Sequence, residues 1–357
     1  MRILLIKPKH IGDTLILTPT IAAIHQVRPN AEIWVMVRAG TEGILVGCPG
    51  ITRILTLPGV EKAERTRSDW WRQIKMLARL WSVKFDYVFE LGDGHRGRLL
   101  ASLARAQRRY SVTPATPLKN SEARRFTAIS KFDSRAAHRV EKDYQTVSEF
   151  LPLPAEIPKL CFQRGAVHSW APADRLTTFA VMQIGKRQAS SRWTRDGWEL
   201  VARYLLDRIG AVVICSGTAD YEIEDANYLR ETLGPRVLCT LGQADWSQVA
   251  GLLYRARLYV GLDTATMHLA AACNCPVVAL FGPTLEHHWR PWRVANRIVT
   301  PRDYIACDDL AEREKRIRAR RMEDIQAQDV VVDCEEIIVE TETTRFATSL
   351  LPKKPSS

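Results

Sequence analysis

Short apolar runs rich in β-branched residues alternate with segments of helical periodicity over most of this chain. The runs that predict strands are 2–7, 31–37, 53–57, 86–90, 178–183, 211–215, 236–239, 258–261 and 276–281. The segments that predict helices lie near 14–28, 69–82, 196–209, 219–233, 245–256 and 265–273. Alternation of this kind favours an α/β protein with two doubly wound parallel sheets.

Two further patterns bound the domains. Four prolines, at 152, 154, 158 and 172, cluster between 151 and 174 and predict the linker between the two sheets. Towards the end, residues 310–322 mix charges of both signs and predict a solvated helix, and a last apolar-periodic segment spans about 330–351.

The segment 68–81 predicts a helix with two unlike faces. Trp70, Ile74, Leu77 and Trp81 fall on one face, and basic side chains at 72, 75 and 79 fall on the other. We expect the apolar stripe to pack against the first sheet. The alternative is that the basic face leans on anionic lipid headgroups.

Charge is unevenly distributed along the chain. Residues 1–150 hold 25 Lys and Arg against 14 Asp and Glu, whereas residues 151–357 hold 26 of each, so the whole net charge of +11 falls in the first half. Part of it comes from 119–142, which has seven basic residues against three acids and resembles a mobile loop region. A one-sided basic field indicates an anionic partner, and a charged soluble face without a partner is the alternative.

The remaining composition excludes several classes of protein. No apolar stretch approaches the ~20 residues that span a bilayer, and the apolar run at the start, only 3–6, is too short for a signal peptide. The eight cysteines are scattered without a CxxC pair, which favours reduced thiols in a cytosolic protein. Walker, GxGxxG, GxSxG and HExxH motifs are absent from the sequence.

Asp13 follows the first predicted strand directly after Gly12. Ligands of open parallel sheets bind at the carboxyl ends of the strands, where a carboxylate can act as a general base. Asp is also a common helix N-cap. On spacing alone, a base and a cap for a helix that begins near Thr14 are equally supported.

A second candidate site lies in "YVGLDTATMHLAAACNCPVVALFGPT", residues 259–284. Asp263 and Thr264 are suitable caps for a helix of small residues, whose free backbone N–H groups would bind a diphosphate. His268 lies one turn into that helix. It either donates to a phosphate oxygen or packs within its own turn.

The same predicted sheet edge receives further charged residues. In "QIGKRQASSRWTRDGW", residues 183–198, Lys186, Arg187 and Arg192 are placed to neutralise a leaving diphosphate, although loop cations are often merely solvated. Glu222 or Glu224, after the strand 211–215, can accept hydrogen bonds from ribose hydroxyls or interact with the dipole of their own helix.

Taken together, these segments resemble the glycosyltransferase family 9 enzymes, the lipopolysaccharide heptosyltransferases. Four segments carry the resemblance: "IKPKHIGDTLILTP", "RPNAEIWVMV", "SSRWTRDGW" and "GLDTATMHLAAACNCPVVALFGPT". They span most of residues 1–300.

The resemblance implies a GT-B fold, with two Rossmann-like domains that face a cleft. It assigns residues 1–165 to an acceptor-binding domain and 173–328 to a domain that binds a nucleotide-sugar. Residues 329–357 would form a helix that crosses back to the first domain. It further implies a cytoplasmic enzyme, peripheral on the cytoplasmic face of the inner membrane.

The implied reaction is inverting and metal-independent transfer of heptose from ADP-heptose, a substrate rather than a cofactor, to a phosphorylated lipid A-core acceptor. Asp13 matches the general base of the family. Asp263, Thr264, Ala265 and His268 match its donor-binding turn and helix, with Lys186, Arg192 and Glu222 as further donor contacts. The acceptor's anionic groups are expected to meet basic residues of the first half, namely Lys7, Lys9, His10, Arg124 and Arg125.

Two departures from the family pattern and three alternatives accompany this expectation. Ser191 occupies a position where the family often has Lys, and Ala265 one where it often has Gly. The alternatives are a transferase with another donor or acceptor, a catalytically silent sugar-nucleotide-binding relative, and a nucleic-acid-binding protein suggested by the basic charge. The last lacks any recognisable nucleic-acid-binding motif, so we expect no nucleic acid partner.

Overall fold

The computed structural model describes residues 1–58, 67–186, 188–302 and 309–349, without the side chains of 67–70, 72, 73 and 345–349. Arg187 and the end of the last predicted helix therefore lie outside the described residues. The chain divides into two compact units, Met1–Ala166 and Val167–Ser357.

The first unit is a six-stranded parallel sheet with helices between its strands. Its strands are β1 Arg2–Lys7, β2 Glu32–Arg38, β3 Ile51–Leu57, β4 Phe85–Glu90, β5 Ala106–Ser111 and β6 Ala128–Ile129. Its helices are α1 Ile11–Leu15, α2 Thr18–Val27, α3 Arg67–Ser82, α4 His95–Leu103, α5 Asn120–Ala123 and α6 Arg139–Ser148. The strand order is β3-β2-β1-β4-β5-β6.

The second unit repeats this architecture. Its strands are β7 Ala180–Gln183, β8 Val212–Ile214, β9 Val237–Cys239, β10 Leu258–Leu262, β11 Val277–Leu280 and β12 Asn296–Val299. Its helices are α7 Arg195–Arg208, α8 Asp220–Leu233, α9 Trp246–Arg255, α10 Ala265–Ala272, α11 Glu286–Trp289, α12 Leu310–Arg318 and α13 Ala327–Ser349. Its order, β9-β8-β7-β10-β11-β12, has the same pattern, so both units are doubly wound and the predicted α/β class is confirmed.

Each sheet has a topological switch point, where the direction of strand succession reverses. In the first unit it lies between β1 and β4, and in the second between β7 and β10. The strands at both points are buried, as parallel strands covered on two faces must be. The loops that follow these four strands are where such folds bind ligands.

The helix predicted near 14–28 is in fact two helices. Pro19 has no N–H to donate and would clash with the preceding turn of a continuous helix, but it fits the first turn of a new one. Accordingly α1 ends at Leu15 and α2 begins at Thr18, with Pro19 in its first turn.

The face predicted for α3 is wrong for Ile74 and Trp81, which are exposed, whereas Leu77 of the same stripe packs against the core of the first sheet. Met76 and Leu80, outside the predicted stripe, are buried in that core. The sheet therefore packs against a face of α3 that lies beside the predicted apolar stripe. The side chains of Ile74 and Trp81 point away from the sheet. The side chains of Trp70 and Arg72 lie outside the described part of the helix.

The tract 119–142, expected as a mobile loop, carries α5, the short strand β6 and the start of α6. Near the other end of the chain, α13 packs Val330, Cys334 and Ile337 into the core of the second unit, and Glu342 pairs with Arg208 and Arg257. That this last segment crosses back to the first domain stays a prediction. None of the described helices meets the length and apolarity needed to cross a bilayer.

Candidate functional site

The donor residues predicted from sequence converge at the switch point of the second unit. Strands β7 and β10 are neighbours, with Gln183 opposite Gly261. Lys186 follows β7, and Asp263 and Thr264 follow β10. The parallel pairing therefore brings both loops to one edge of the sheet.

Polar contacts join these two loops. The Thr264 hydroxyl donates to Gln183 Oε1 at 3.1 Å instead of capping its own helix. Lys186 Nζ lies 3.5 Å from Asp263 Oδ2, and their side chains are 22% and 13% exposed. The ammonium is thus held at the start of α10 and remains accessible to an anion.

The N-terminus of α10 has the features that favour an anion. The first N–H groups of a helix have no intrahelical partner, and its dipole favours negative charge there. The N-cap residue is Thr264, and its side chain makes no hydrogen bond to these N–H groups. His268 is buried, with its ring 6.2 Å from that of Trp289. The structure therefore packs His268 within the domain, and its contact with phosphate stays a prediction.

Arg192 supports the loop after β7. Its Nε donates to the carbonyl of Lys186 at 3.1 Å, and its guanidinium lies 3.2 Å from the centre of the Tyr221 ring. Such a cation–π contact fixes the plane of the guanidinium. Arg192 thereby orients Lys186 and brings a second cation to the edge where the anion would bind.

Glu222 is seated between two glycines at the same edge. A Cβ added to Gly185 would lie 1.8 Å from Glu222 Oε1, and one added to Gly217 would lie 2.3 Å from Oε2. Gly185 follows β7 and Gly217 follows β8, so each loop approaches the carboxylate more closely than any side chain allows. Glu222, rather than the exposed Glu224, is therefore the carboxylate that the loops after β7 and β8 enclose.

In the first unit, Asp13 lies at the carboxyl end of β1, beside the switch point. The helix α1 begins at Ile11, three residues earlier than expected, so Asp13 is in its first turn and not at its N-cap. Its Oδ2 accepts the backbone N–H of His10 at 3.3 Å. The capping and catalytic interpretations are thus compatible, because one carboxylate oxygen serves the cap and the half-buried group retains another.

Lys7 differs from its neighbours Lys9 and His10. It is 3% exposed, and its ammonium forms an ion pair with the buried carboxylate of Asp143 from α6. Burial raises the pKa of Asp143, while the cations of Lys7 and Lys142 oppose that rise. Lys9 and His10 are exposed, so they are better placed than Lys7 to meet an acceptor.

A second polar cluster follows β4. Asp93 pairs with Arg98 at 3.3 Å and with Lys142 at 3.4 Å. Glu90 is fully buried, where its carboxylate accepts from the Gly92 N–H and the Ser111 hydroxyl, both at 2.9 Å. Burial raises the pKa of Glu90, opposed first by the Ser111 hydroxyl.

The two remaining acceptor candidates, Arg124 and Arg125, are exposed at the end of α5. A contact of 3.1 Å between Glu122 Oε1 and Nδ1 of His95, the first residue of α4, places α5 beside the loop that follows β4. The predicted basic residues therefore lie near the carboxyl edge of the first sheet. Their contact with an acceptor stays a prediction.

Sequence reasoning missed the residues that support the site. These are Gln183, Tyr221, Gly185 and Gly217 in the second unit, and Glu90, Asp93 and Asp143 in the first. Gln183 could have been suspected, since a polar residue that ends a buried strand often serves the adjacent site. Among the described residues, no group of three or more His, Cys, Asp or Glu side chains is arranged to hold a metal ion.

Comparison with known proteins identifies the family. The family model for glycosyltransferase family 9 (heptosyltransferase) matches residues 74–317. Lipopolysaccharide heptosyltransferase 3 of Escherichia coli is 25% identical over 79% of this chain and 83% of its own length. Lipopolysaccharide heptosyltransferase 1 of Pseudomonas aeruginosa is 27% identical over 80% of this chain and 79% of its own.

Solved structures of heptosyltransferases have a similar fold. The structure of the E. coli heptosyltransferase WaaC with ADP covers 94% of this chain and 100% of its own, with a TM-score of 0.78 at 19% identity. That likeness confirms the GT-B type of fold predicted above. The chain therefore belongs to glycosyltransferase family 9, the heptosyltransferases, and is a glycosyltransferase.

Proposed function

We propose that the protein transfers heptose from ADP-heptose to the inner core of lipopolysaccharide, by an inverting reaction that needs no metal. The acceptor is the phosphorylated lipid A-core, and the enzyme works as a peripheral protein on the cytoplasmic face of the inner membrane. Family membership and the curated relatives support the heptosyl class of reaction. The ADP in the WaaC structure supports the nucleotide.

One observation from the chain itself carries the proposal. A helix N-terminus, two cations and two carboxylates, those of Asp263 and Glu222, meet at the switch point of the second sheet. The α10 N-terminus with Lys186 and Arg192 suits a diphosphate. The carboxylate of Glu222 can accept hydrogen bonds from ribose hydroxyls. These groups therefore suit the diphosphate and the ribose of a nucleoside diphosphate.

In the proposed mechanism, Asp13 removes the proton from the acceptor hydroxyl as that oxygen attacks the anomeric carbon. The glycosidic bond to the diphosphate breaks on the opposite face, so the configuration inverts. The leaving ADP gains negative charge, which Lys186, Arg192 and the α10 dipole stabilise. Lys9, His10, Arg124 and Arg125 bind the phosphate groups of the acceptor.

The donor assignment is tested by thermal stabilisation with ADP-, UDP- and GDP-sugars. A ligand that binds only the folded state raises the melting temperature, by an amount that corresponds to about 2.7 kcal/mol at 100 times its Kd. We expect the ADP-sugars alone to do so. Stabilisation by UDP- or GDP-sugars instead would favour a transferase with another donor, and transfer that stops in excess chelator would refute metal independence.

A further inference from the structure

The outer face of α3 exposes a stripe of large apolar side chains. Trp71 is 64% exposed, Ile74 49% and Trp81 72%. Their spacing places them on one side of the helix. Apolar residues scattered singly on a surface are ordinary, but a contiguous patch with two tryptophans marks an interaction site.

The neighbouring helix α4 extends this patch. Both helices cover the same face of the first sheet, because Met76 and Leu80 of α3 share a core cluster with Leu100 and Ala101 of α4. On its outer side α4 exposes Leu99 and Leu103, one turn apart, at 49% and 40%. Trp81 of α3 and Leu103 of α4 line a common hollow of about 410 Å³, so the two apolar surfaces are continuous.

Basic residues predominate around the patch. The segments 67–85 and 94–122 contain eleven Lys and Arg against two acids, Asp69 and Glu122. Lys75 and Arg79 are exposed on α3, and Lys84 is exposed just after it. Arg105 and Arg109 line the hollow beneath Trp81. The apolar stripe is therefore bordered by cations on the described surface around it.

We propose that the outer faces of α3 and α4 form a docking surface for an anionic lipid bilayer. Tryptophan is favoured at the boundary between headgroups and acyl chains, where its amphipathic ring is half-solvated. Lys and Arg around it bind the negative headgroups. Trp71, Ile74, Trp81, Leu99 and Leu103 insert, and the surrounding cations hold the surface against the membrane.

Charge argues against the main alternative, a second copy of this chain. A two-fold dimer through this face would place the same patch on both sides. Each cation would then meet like charges, which is unfavourable at an interface. A membrane rich in anionic lipid offers both an apolar interior and the complementary charge.

This proposal names the surface through which the peripheral membrane contact proposed above is made. It rests on the proposed function in one respect, that the acceptor lies in the membrane. The full chain is mixed with vesicles of 40% phosphatidylglycerol in phosphatidylcholine, or of phosphatidylcholine alone, and bound protein is separated by flotation. The variant Trp71→Ala/Trp81→Ala removes the exposed rings. Leu200→Ala/Val332→Ala is the control, since both side chains are exposed apolar groups of the second unit, at 43% and 47%.

We expect the wild type and the control to partition onto anionic vesicles roughly 10-fold more strongly than onto neutral ones. The double tryptophan variant should lose roughly 10-fold of that binding, and Lys75→Glu/Lys84→Glu a similar factor. Equal binding to both kinds of vesicle, or full binding by the tryptophan variant, would overturn the proposal. Self-association of the wild type that the tryptophan variant abolishes, without vesicle binding, would assign the face to a second copy.

Sugar transfer is measured separately, so the two proposals fail in different ways. The tryptophan variant should act normally on a deacylated, water-soluble acceptor and several-fold more slowly on the same acceptor in anionic vesicles. If the wild type transfers no sugar to either acceptor, the proposed reaction is wrong, and flotation alone still decides whether the surface binds lipid.

Discussion

Gly185→Ala tests how the donor site is built. The new methyl group would lie 1.8 Å from Glu222 Oε1 and 2.4 Å from Cδ, far inside van der Waals contact, so the carboxylate has to move. If Glu222 accepts hydrogen bonds from the ribose, that movement removes them. Hydrogen bonds to a charged group contribute about 1.5–3 kcal/mol, which corresponds to a roughly 10- to 150-fold weaker Kd for ADP.

The assay is calorimetric titration with ADP in a double-mutant cycle. Gly185→Ala and Glu222→Ala should each weaken binding by a similar factor, and the double variant should bind no more weakly than Glu222→Ala alone. Gly165→Ala is the control, because no atom lies within 4 Å of its added Cβ. Additive losses would show that the methyl group blocks ADP directly, and unchanged affinity in Glu222→Ala would remove Glu222 from the site.

Two predictions concern the buried carboxylates of the first unit. Burial raises the pKa of Glu90, so the neutral carboxyl stabilises the folded state. This contribution to stability is fully present below the unfolded pKa of about 4.3 and is lost as pH rises through the folded pKa. The melting temperature of Glu90→Gln minus that of the wild type should therefore increase as pH rises from 4 to 8. A difference in melting temperature that does not change with pH would contradict this. Asp143→Asn leaves the Lys7 ammonium buried without its carboxylate and should cost about 3–5 kcal/mol in urea unfolding, whereas Lys7→Met/Asp143→Leu should recover much of it. A double variant as unstable as Asp143→Asn would refute the ion-pair account.

The fold was largely predictable because buried parallel strands read as apolar runs. The strands missed were those with polar sequences or marginal positions. β5 carries Arg108 and Arg109, which are tolerated near the edge of the sheet, and β6 is only two residues long. The edge strand β12 has four residues and begins with Asn296 and Arg297. The helix α6 was missed because its N-cap is His138, whose Nδ1 accepts the Val140 N–H in a role that Ser, Thr, Asp or Asn usually fills.

The face of α3 could not be fixed from periodicity. The helix has apolar residues on more than one side, so its pattern does not decide whether Ile74 and Trp81 or Met76 and Leu80 meet the sheet. Tertiary packing decided it, and the outcome created the exposed surface for which we propose a membrane partner.

The candidate site was predictable where a residue type follows a strand, as for Asp13, Lys186 and Asp263. Its supporting contacts were not. The seat of Glu222 depends on two glycines more than 30 residues apart, and the ion pair of Lys7 on a residue 136 positions later. Proximity of this kind arises from strand order, which no local pattern encodes.

The most direct test of the account is heptose transfer by wild type and Asp13→Asn, measured with ADP-heptose and a lipid A-core acceptor that lacks the heptose. The wild type should form the glycosylated acceptor and release ADP, with the anomeric configuration inverted relative to the donor. The rate of transfer by Asp13→Asn should fall by roughly 10²- to 10⁴-fold, the range typical of a general base. The variant should bind ADP with unchanged affinity. Transfer by Asp13→Asn at the wild-type rate would contradict the role of Asp13, and no transfer by the wild type would contradict the proposed reaction.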